Sequence, residues 1–122
     1  MLSPVQTMEL LKNQPEQKFA AGEVIFKAGE EGTQMYGIIA GSVDIFAHDN
    51  VVETITAGDI FGQGALVQTN RSRLGTAIAK TDCQLAVMDL PHFLFAIEQT
   101  PLFAVEVIRS FSNRLRHLKS VL

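Results

Sequence analysis

The sequence predicts a mainly β domain with flanking helices, in which a β jelly-roll barrel is followed by C-terminal helices. From residue 18 to residue 88, glycines separate short β-prone runs, a texture typical of barrels and jelly rolls with tight turns. After Met88 the apolar residues recur at helical spacing instead. With 122 residues, 47% of them hydrophobic, the chain is expected to form one domain with a single core.

We expect three parts along the chain. Residues 1–17 are predicted to form an N-terminal helical segment, because Val5 and Met8 are spaced as on one face of a helix. Residues 18–88 contain the glycine-punctuated runs and are assigned to the jelly roll. Residues 89–122 are assigned to C-terminal helices.

The jelly-roll region is built from short runs rich in β-branched and aromatic residues. Within one of these runs, Val43 and Ile45 alternate with polar residues, which is typical of a strand with one buried face. The predicted strands are residues 24–26, 35–39, 42–46, 51–55, 76–79 and 84–88, with a hairpin tip at residues 48–50.

Two start signals divide the C-terminal region into two helices. Asp89 is a favourable N-cap, and Pro91 falls in the first turn of a helix that runs towards Gln99. Residues 100–101, Thr-Pro, repeat the same signal. A second helix is therefore predicted from there to the end of the chain.

Apolar residues of the second helix recur at alternating steps of four and three, the spacing of a heptad seam. They are Ala104, Ile108, Phe111, Leu115, Leu118 and Leu122. Two interpretations are open: the seam packs on the jelly roll, as most apolar helix faces do, or it forms the interface of a homodimer. Because the seam is narrow, regular and terminal, we favour the homodimer.

Composition argues against several classes of protein. The formal net charge of −3 argues against direct nucleic-acid binding, which needs an excess of lysine and arginine. No apolar run is long enough to span a membrane, and the N-terminus lacks the pattern of a signal peptide. The single cysteine, Cys83, is expected to be a buried structural thiol. We therefore expect a cytoplasmic protein without a membrane partner.

Residues 58–66 form a glycine-rich turn that leads into a short helical segment. Glycine lets the backbone approach a ligand closely, and the N–H groups of such a turn attract anions. Arg73 follows after a short loop and can add a fixed fork of donors to the same anion. Taken alone, the Gly62-x-Gly64 pattern is equally compatible with an ordinary glycine-rich β-turn.

Three stretches, residues 22–30, 35–43 and 58–62, closely resemble the cyclic-nucleotide-binding domain family, which includes the sensor half of bacterial catabolite-activator-type regulators. The glycine spacing across them is far more specific than any single glycine motif. The resemblance implies a jelly roll flanked by helices, a phosphate-binding cassette at residues 58–79, and a long terminal helix that often forms the dimer.

The resemblance also implies a set of ligand-binding residues. They are Phe61, Gly62, Gln63, Gly64, Ala65, Leu66, Arg73 and Leu74. In the family's cassette a glutamate accepts a hydrogen bond from the ribose 2′-hydroxyl, and an arginine pairs with the cyclic phosphate. Here Gln63 replaces the glutamate, and Arg73 keeps the arginine, with Arg71 as a substitute. Leu74 replaces a small or hydroxyl residue and is expected to add bulk beside the phosphate.

The expected function is a stand-alone regulatory sensor that binds cyclic AMP or cyclic GMP weakly and signals through a dimeric C-terminal helix, without a cofactor. Near the usual purine reader of the family stand Leu118, Lys119 and Ser120, which indicate no choice between the two purines. The alternative is a degenerate domain that no longer binds nucleotide and serves for oligomerisation or for interaction with a protein partner.

A cupin-like enzyme is the remote alternative, because that class shares a jelly-roll core. The histidines, His48, His92 and His117, form no His-x-His pair and fall on a hairpin tip and two separate helices. No Gly-x-Ser-x-Gly elbow is present for nucleophilic catalysis either. Neither an enzymatic activity nor a metal site is therefore expected.

Overall fold

The structure, a computed structural model, describes residues 3–10 and 15–120. Its elements are α1 (Pro4–Leu10), β1 (Glu16–Phe19), β2 (Val24–Phe26), β3 (Gln34–Ala40), β4 (Ser42–Ala47), β5 (Asn50–Thr56), β6 (Ile60–Phe61), α2 (Gly64–Val67), β7 (Thr76–Ala79), β8 (Cys83–Asp89), α3 (Leu90–Gln99) and α4 (Leu102–Ser120). The helices within these ranges include none long and apolar enough to cross a membrane.

The strands form two four-stranded antiparallel sheets with the orders β1-β8-β3-β6 and β2-β7-β4-β5. The predicted mainly β fold of jelly-roll type with flanking helices is confirmed, although the two sheets stay separate rather than closing into a barrel. One boundary is corrected. Strand β1 begins at Glu16, which pairs with Ala86 of β8, so strand structure starts within the segment that was expected to be helical up to residue 17.

Two clusters of buried residues make up the core, one on each side of the first sheet. Successive side chains of strand β8 belong to different clusters, because they point to opposite faces of the sheet. Leu85 and Val87 pack between the two sheets, whereas Ala86 and Met88 face α1, α3 and α4. The first sheet is therefore the middle layer of the molecule, with the second sheet on one side and the helices on the other.

The start of α3 follows the predicted capping. The Asp89 carboxylate accepts a hydrogen bond from the backbone N–H of His92 at 3.0 Å, and Pro91 lies in the first turn. The same backbone hydrogen bond is the main reason that the pKa of Asp89 is lowered. The helix ends at Gln99, and α4 begins three residues later at Leu102.

Helix α4 turns a partly polar face inward and an apolar stripe outward. Beside the buried Phe103 and Val107, Glu106 accepts a hydrogen bond from Thr7 at 2.8 Å, and Ser110 donates one to Asp59 at 2.5 Å. The outward stripe comprises Ile108, Phe111, Leu115 and Leu118, with 65%, 40%, 55% and 44% of their surface exposed; Ala104 is half-buried, and Leu122 lies outside the described residues. The predicted seam thus does not pack on the jelly roll along most of its length.

Candidate functional site

The glycine-rich turn lies at the end of β6. Gly62 has a φ of +79°, a left-handed conformation that side-chain-bearing residues rarely adopt, and it redirects the chain from β6 into α2. A Cβ atom at Gly62 would also lie 2.9 Å from Nη1 of Arg73. Glycine is therefore required here both for the backbone conformation and for the close approach of the arginine.

Arg73 is held deep against this turn and is only 7% exposed. Its Nη1 donates to the carbonyl oxygen of Gly62 at 2.7 Å, and its Nη2 donates to the carbonyl oxygen of Gln34 at 2.6 Å. The guanidinium carbon lies 4.1 Å from the centre of the Phe26 ring, a cation–π contact. These contacts fix the plane of the guanidinium group. Arg71, the substitute considered from sequence, is exposed.

Backbone pairing positions the Arg73 segment against the turn between β2 and β3. The N–H of Arg73 donates to the carbonyl of Glu30, and the N–H of Gly29 donates to the carbonyl of Arg73, both at 2.8 Å. The N–H of Gly32 donates to the carbonyl of Arg71, also at 2.8 Å. Arg73 is thus clamped by its main chain as well as by its side chain.

Gly32 makes room for the arginine side chain. A Cβ at this position would lie 2.5 Å from Nε of Arg73 and 2.5 Å from Cβ of Ala65, distances that real Cβ atoms do not show. Sequence reasoning counted Gly32 among the punctuating glycines and missed this role. Nothing local marks it, because the contact joins residues about forty positions apart.

Four buried side-chain polar atoms of the described region lack hydrogen-bond partners, and all belong to residues around this turn. They are Oε1 and Nε2 of Gln63, Oε1 of Gln34 and Nε of Arg73. Gln63 is 1% exposed, so neither of its amide atoms is compensated by bulk water. Buried polar atoms are paired in the great majority of cases, so each unpaired one calls for a specific explanation, such as a functional role or a bound water or ion.

A cavity of about 550 Å³ opens beside these atoms. Its lining residues are Phe26, Ile45, Phe61, Gly62, Gln63, Gly64, Ala65, Val67, Gln68, Asn70, Ser72, Arg73, Leu74, Gly75, Phe111 and Arg114. The structure thus brings together seven of the eight predicted ligand-binding residues. The eighth, Leu66, is a correction: it is buried among the residues that face the helices, because α2 turns it away from the cavity.

Leu74 lies at the cavity but is 98% exposed. Its side chain extends into solvent, so the prediction that Leu74 adds bulk beside the phosphate is wrong. A ligand need not displace a buried leucine there. Leu74 still departs from the family's pattern in one respect, because leucine has no hydroxyl group to donate a hydrogen bond.

Helix α4 contributes Phe111 and Arg114 to the cavity, and neither was assigned to the ligand site from sequence. Arg114 donates through Nε to Glu53 of β5 at 2.6 Å and through Nη1 to the carbonyl of Ile60 at 2.8 Å. Leu118, considered near the purine reader, is not among the lining residues. Phe111 lies at the edge of the outward stripe: it is 40% exposed and also lines the cavity, which the heptad spacing did not show.

Burial controls the electrostatics around Arg73. It lowers the pKa of the Arg73 guanidinium, an effect that Tyr36 and Glu30 partly oppose. Burial likewise raises the pKa of the Tyr36 hydroxyl, while the nearby Arg73 acts to lower it. The arginine nevertheless stays protonated at neutral pH, so the cavity contains a partly desolvated cation that favours an anionic ligand.

A family model described as the cyclic nucleotide-binding domain matches residues 16–100. The chain belongs to this family. The family is one of regulatory sensors rather than catalysts. Among the described residues of this cyclic nucleotide-binding domain, no group of three or more His, Cys, Asp or Glu could hold a metal ion.

Two curated relatives illustrate the sequence similarity of the domain. The cAMP-dependent protein kinase regulatory subunit of Eremothecium gossypii is 40% identical over 81 residues, which cover 66% of this chain and 18% of that protein. The cGMP-dependent protein kinase of Plasmodium berghei is 36% identical over 81 residues, which cover 66% of this chain and 9% of that protein. The chain therefore matches less than a fifth of the length of each.

Solved structures show the same fold. The catabolite activator protein of Thermus thermophilus superposes with a TM-score of 0.77 at 22% identity, covering 95% of this chain and 55% of that chain. At this identity the likeness concerns the fold alone.

Proposed function

We propose that this domain is a sensor that binds a cyclic nucleotide, cyclic AMP or cyclic GMP, in the cavity beside Arg73. The buried Arg73 guanidinium is the observation that carries the proposal, because a desolvated cation beside an open cavity favours an anionic partner, and the guanidinium fork suits a phosphate. Its Nε and both amide atoms of Gln63 lack partners that a ligand would supply. The N–H groups of the turn at residues 62–65 complete the phosphate site.

Titration calorimetry of the nucleotide-stripped protein with cyclic AMP and cyclic GMP tests this function. We expect saturable binding of one nucleotide per chain for at least one of the two. Absence of heat with both nucleotides, for a protein shown to be folded by circular dichroism, would contradict the proposal.

The affinity is expected to be low because Gln63 presents a neutral acceptor in place of a carboxylate. A hydrogen bond to a charged group is worth roughly twice a neutral one, so the difference is about 1 kcal/mol or somewhat more. Because Leu74 is exposed, it does not add the steric cost to ligand binding that was expected from the sequence. We therefore expect weakened rather than abolished binding.

Association without a ligand is the alternative function, and one observation favours it. Both terminal nitrogens of Arg73 already donate to backbone carbonyls, so each has a hydrogen-bond partner within the protein. A phosphate must then share or replace these contacts. Under this alternative the domain acts only through the exposed stripe of α4, as an oligomerisation or protein-interaction module.

We expect Gln63→Glu to strengthen cyclic-nucleotide binding about five- to tenfold, because the carboxylate accepts a stronger hydrogen bond from the ribose 2′-hydroxyl. Calorimetric titration measures the change. Gln68→Glu is the matched control, since Gln68 also lines the cavity but is exposed. An equal gain in both variants, or no gain in either, would contradict the assigned role of Gln63.

The output of the sensor is proposed to be a homodimer formed by the stripe of α4. Leu115→Asp should weaken the dimer by more than about 100-fold, because it buries an unpaired charge in the interface. Sedimentation velocity should then give the monomer mass where the wild type gives twice that mass. Asn113→Asp adds the same charge to an exposed position outside the seam and should remain dimeric. Equal masses for the wild type and Leu115→Asp, both folded, would refute the dimer.

A further inference from the structure

The amide group of Gln63 is buried although the residue belongs to the lining of the cavity. The residue is 1% exposed, and neither Oε1 nor Nε2 has a hydrogen-bond partner. A primary amide can donate two hydrogen bonds and accept two. Among the described residues, Gln63 alone leaves two buried side-chain atoms unpaired.

The neighbouring polar groups do not compensate the buried amide. Oε1 of Gln34 is also unpaired, and no hydrogen bond joins it to Nε2 of Gln63. Arg73 directs Nη1 and Nη2 to the backbone carbonyls of Gly62 and Gln34. An amide that has lost its hydration without gaining a partner destabilises the state in which it is buried.

No hydrogen bond holds the Gln63 side chain in this buried position. Gln63 is the N-cap residue of α2, but its side chain makes none of the capping hydrogen bonds common at that position. Its φ of −68° and ψ of −19° are ordinary helical values, so the backbone there is unstrained. A Cβ atom at the next residue, Gly64, would meet nothing within 4 Å, which leaves open space on that side. The side chain can therefore turn about its own torsion angles without a change of the backbone.

We propose that Gln63 is a ligand-linked switch, which is buried and unpaired in the unliganded domain and turns into the cavity when a ribose hydroxyl binds. The inference rests on the proposed binding of a cyclic nucleotide in this cavity. A hydroxyl group both donates and accepts, so it can pair with either end of the amide. This pairing exists only in the liganded state, and it is the differential interaction that favours the turned side chain. The unliganded domain is thus less stable than its packing would allow, a trade of stability for function.

Gln63→Met tests the destabilisation in the unliganded protein. Methionine is also long and unbranched but has no amide group, so it can fill the buried position without unpaired donors or acceptors. We expect the melting temperature, followed by circular dichroism, to rise by roughly 3–12 °C. Gln99→Met makes the same substitution at an exposed position of α3 and should change it by no more than about 2 °C. An unchanged or lower melting temperature in Gln63→Met would overturn the proposal, because a bound water would then already pair the amide.

The side-chain NH₂ signals of Gln63 in the ¹⁵N-labelled wild type test the turning itself, and they need no variant. In the unliganded protein these protons should exchange slowly with water, because the amide is buried. Saturation with the tighter-binding of cyclic AMP and cyclic GMP should shift the signals as the amide gains a partner. The 2′-deoxy analogue of the same nucleotide keeps the phosphate and the base, so it should bind and leave the signals in place.

The affinities of the two ligands give a third measurement. In the wild type the ribonucleotide should bind roughly 2- to 10-fold more tightly than its 2′-deoxy analogue, the range for one neutral hydrogen bond. In Gln63→Met this ratio should fall to about one, while Gln99→Met should keep the wild-type ratio. Calorimetric titration of the three proteins measures both ratios.

The outcomes distinguish this inference from the function on which it rests. Binding of the ribonucleotide without a shift of the Gln63 signals, or with the same shift for the 2′-deoxy analogue, would overturn the switch and leave the sensor proposal standing. An unchanged affinity ratio in Gln63→Met would do the same, because another residue would then contact the ribose hydroxyl. Absence of binding by all of the nucleotides would overturn both proposals.

Discussion

Arg73→Ala is expected to lower cyclic-nucleotide affinity roughly 30- to 5,000-fold, which corresponds to a loss of about 2–5 kcal/mol. The guanidinium is buried in the cassette and is the only cation that the cassette contributes to the cavity lining among the described residues. Without it a phosphate would lose its charged partner while still being desolvated. Titration calorimetry with cyclic GMP and cyclic AMP measures the loss directly.

Two further variants isolate the role of Arg73. Arg71→Ala should retain the wild-type affinity, because Arg71 is exposed and does not line the cavity. Arg73→Lys keeps the charge but cannot donate in a planar fork to the carbonyls of Gly62 and Gln34, so its affinity should be intermediate. If Arg71→Ala abolished binding and Arg73→Ala did not, the phosphate would lie at the outer part of the loop and the assignment of the cassette would be wrong.

The position of the key arginine could be predicted from sequence, but its surroundings could not. The resemblance to the family places Arg73 in the cassette, and this arginine is indeed buried. The partner carbonyl of Gln34 lies 39 positions away, and the stacked Phe26 belongs to a different strand. Such contacts depend on how the two sheets face each other, which no local pattern specifies.

The orientation of helix α4 could not be predicted from sequence either. The heptad spacing identified its apolar stripe, and the usual rule is that such a stripe packs on the body of the domain. In the structure Phe103 and Val107, which lie outside the stripe, pack on the core instead. Ser110 and Arg114 add hydrogen bonds to Asp59 and Glu53, which lie 51 and 61 positions earlier. Polar docking contacts carry no periodic signal, so sequence could not show which side of the helix faces the cavity.

Strand β1 was missed for a different reason. Its sequence, Glu-Gln-Lys-Phe, is mostly charged or polar, and its first three residues are exposed. A strand at the edge of a sheet, most of whose side chains are exposed, needs no apolar alternation. Its pairing with β8 is set by the neighbouring strand rather than by its own composition.

Gly32→Ala is expected to reduce both stability and binding, although it adds only one methyl group. The new Cβ would lie 2.5 Å from both Nε of Arg73 and Cβ of Ala65. Neither neighbour yields easily, because Arg73 is held by two hydrogen bonds and Ala65 belongs to α2. Overpacking of this kind costs about 1–3 kcal/mol, so the melting temperature should fall by roughly 5–12 °C.

The same substitution should displace the Arg73 guanidinium and lower cyclic-nucleotide affinity at least about 30-fold, as truncation of the arginine would. Thermal unfolding followed by circular dichroism, together with calorimetric titration, measures the two effects. Gly64→Ala is the matched control for stability, since a Cβ there meets no atom within 4 Å and alanine favours the helix that begins at Gly64. If Gly32→Ala kept the melting temperature and the affinity of the wild type, Arg73 would not need the space at Gly32. The claim that Gly32 makes room for the arginine side chain would then be wrong.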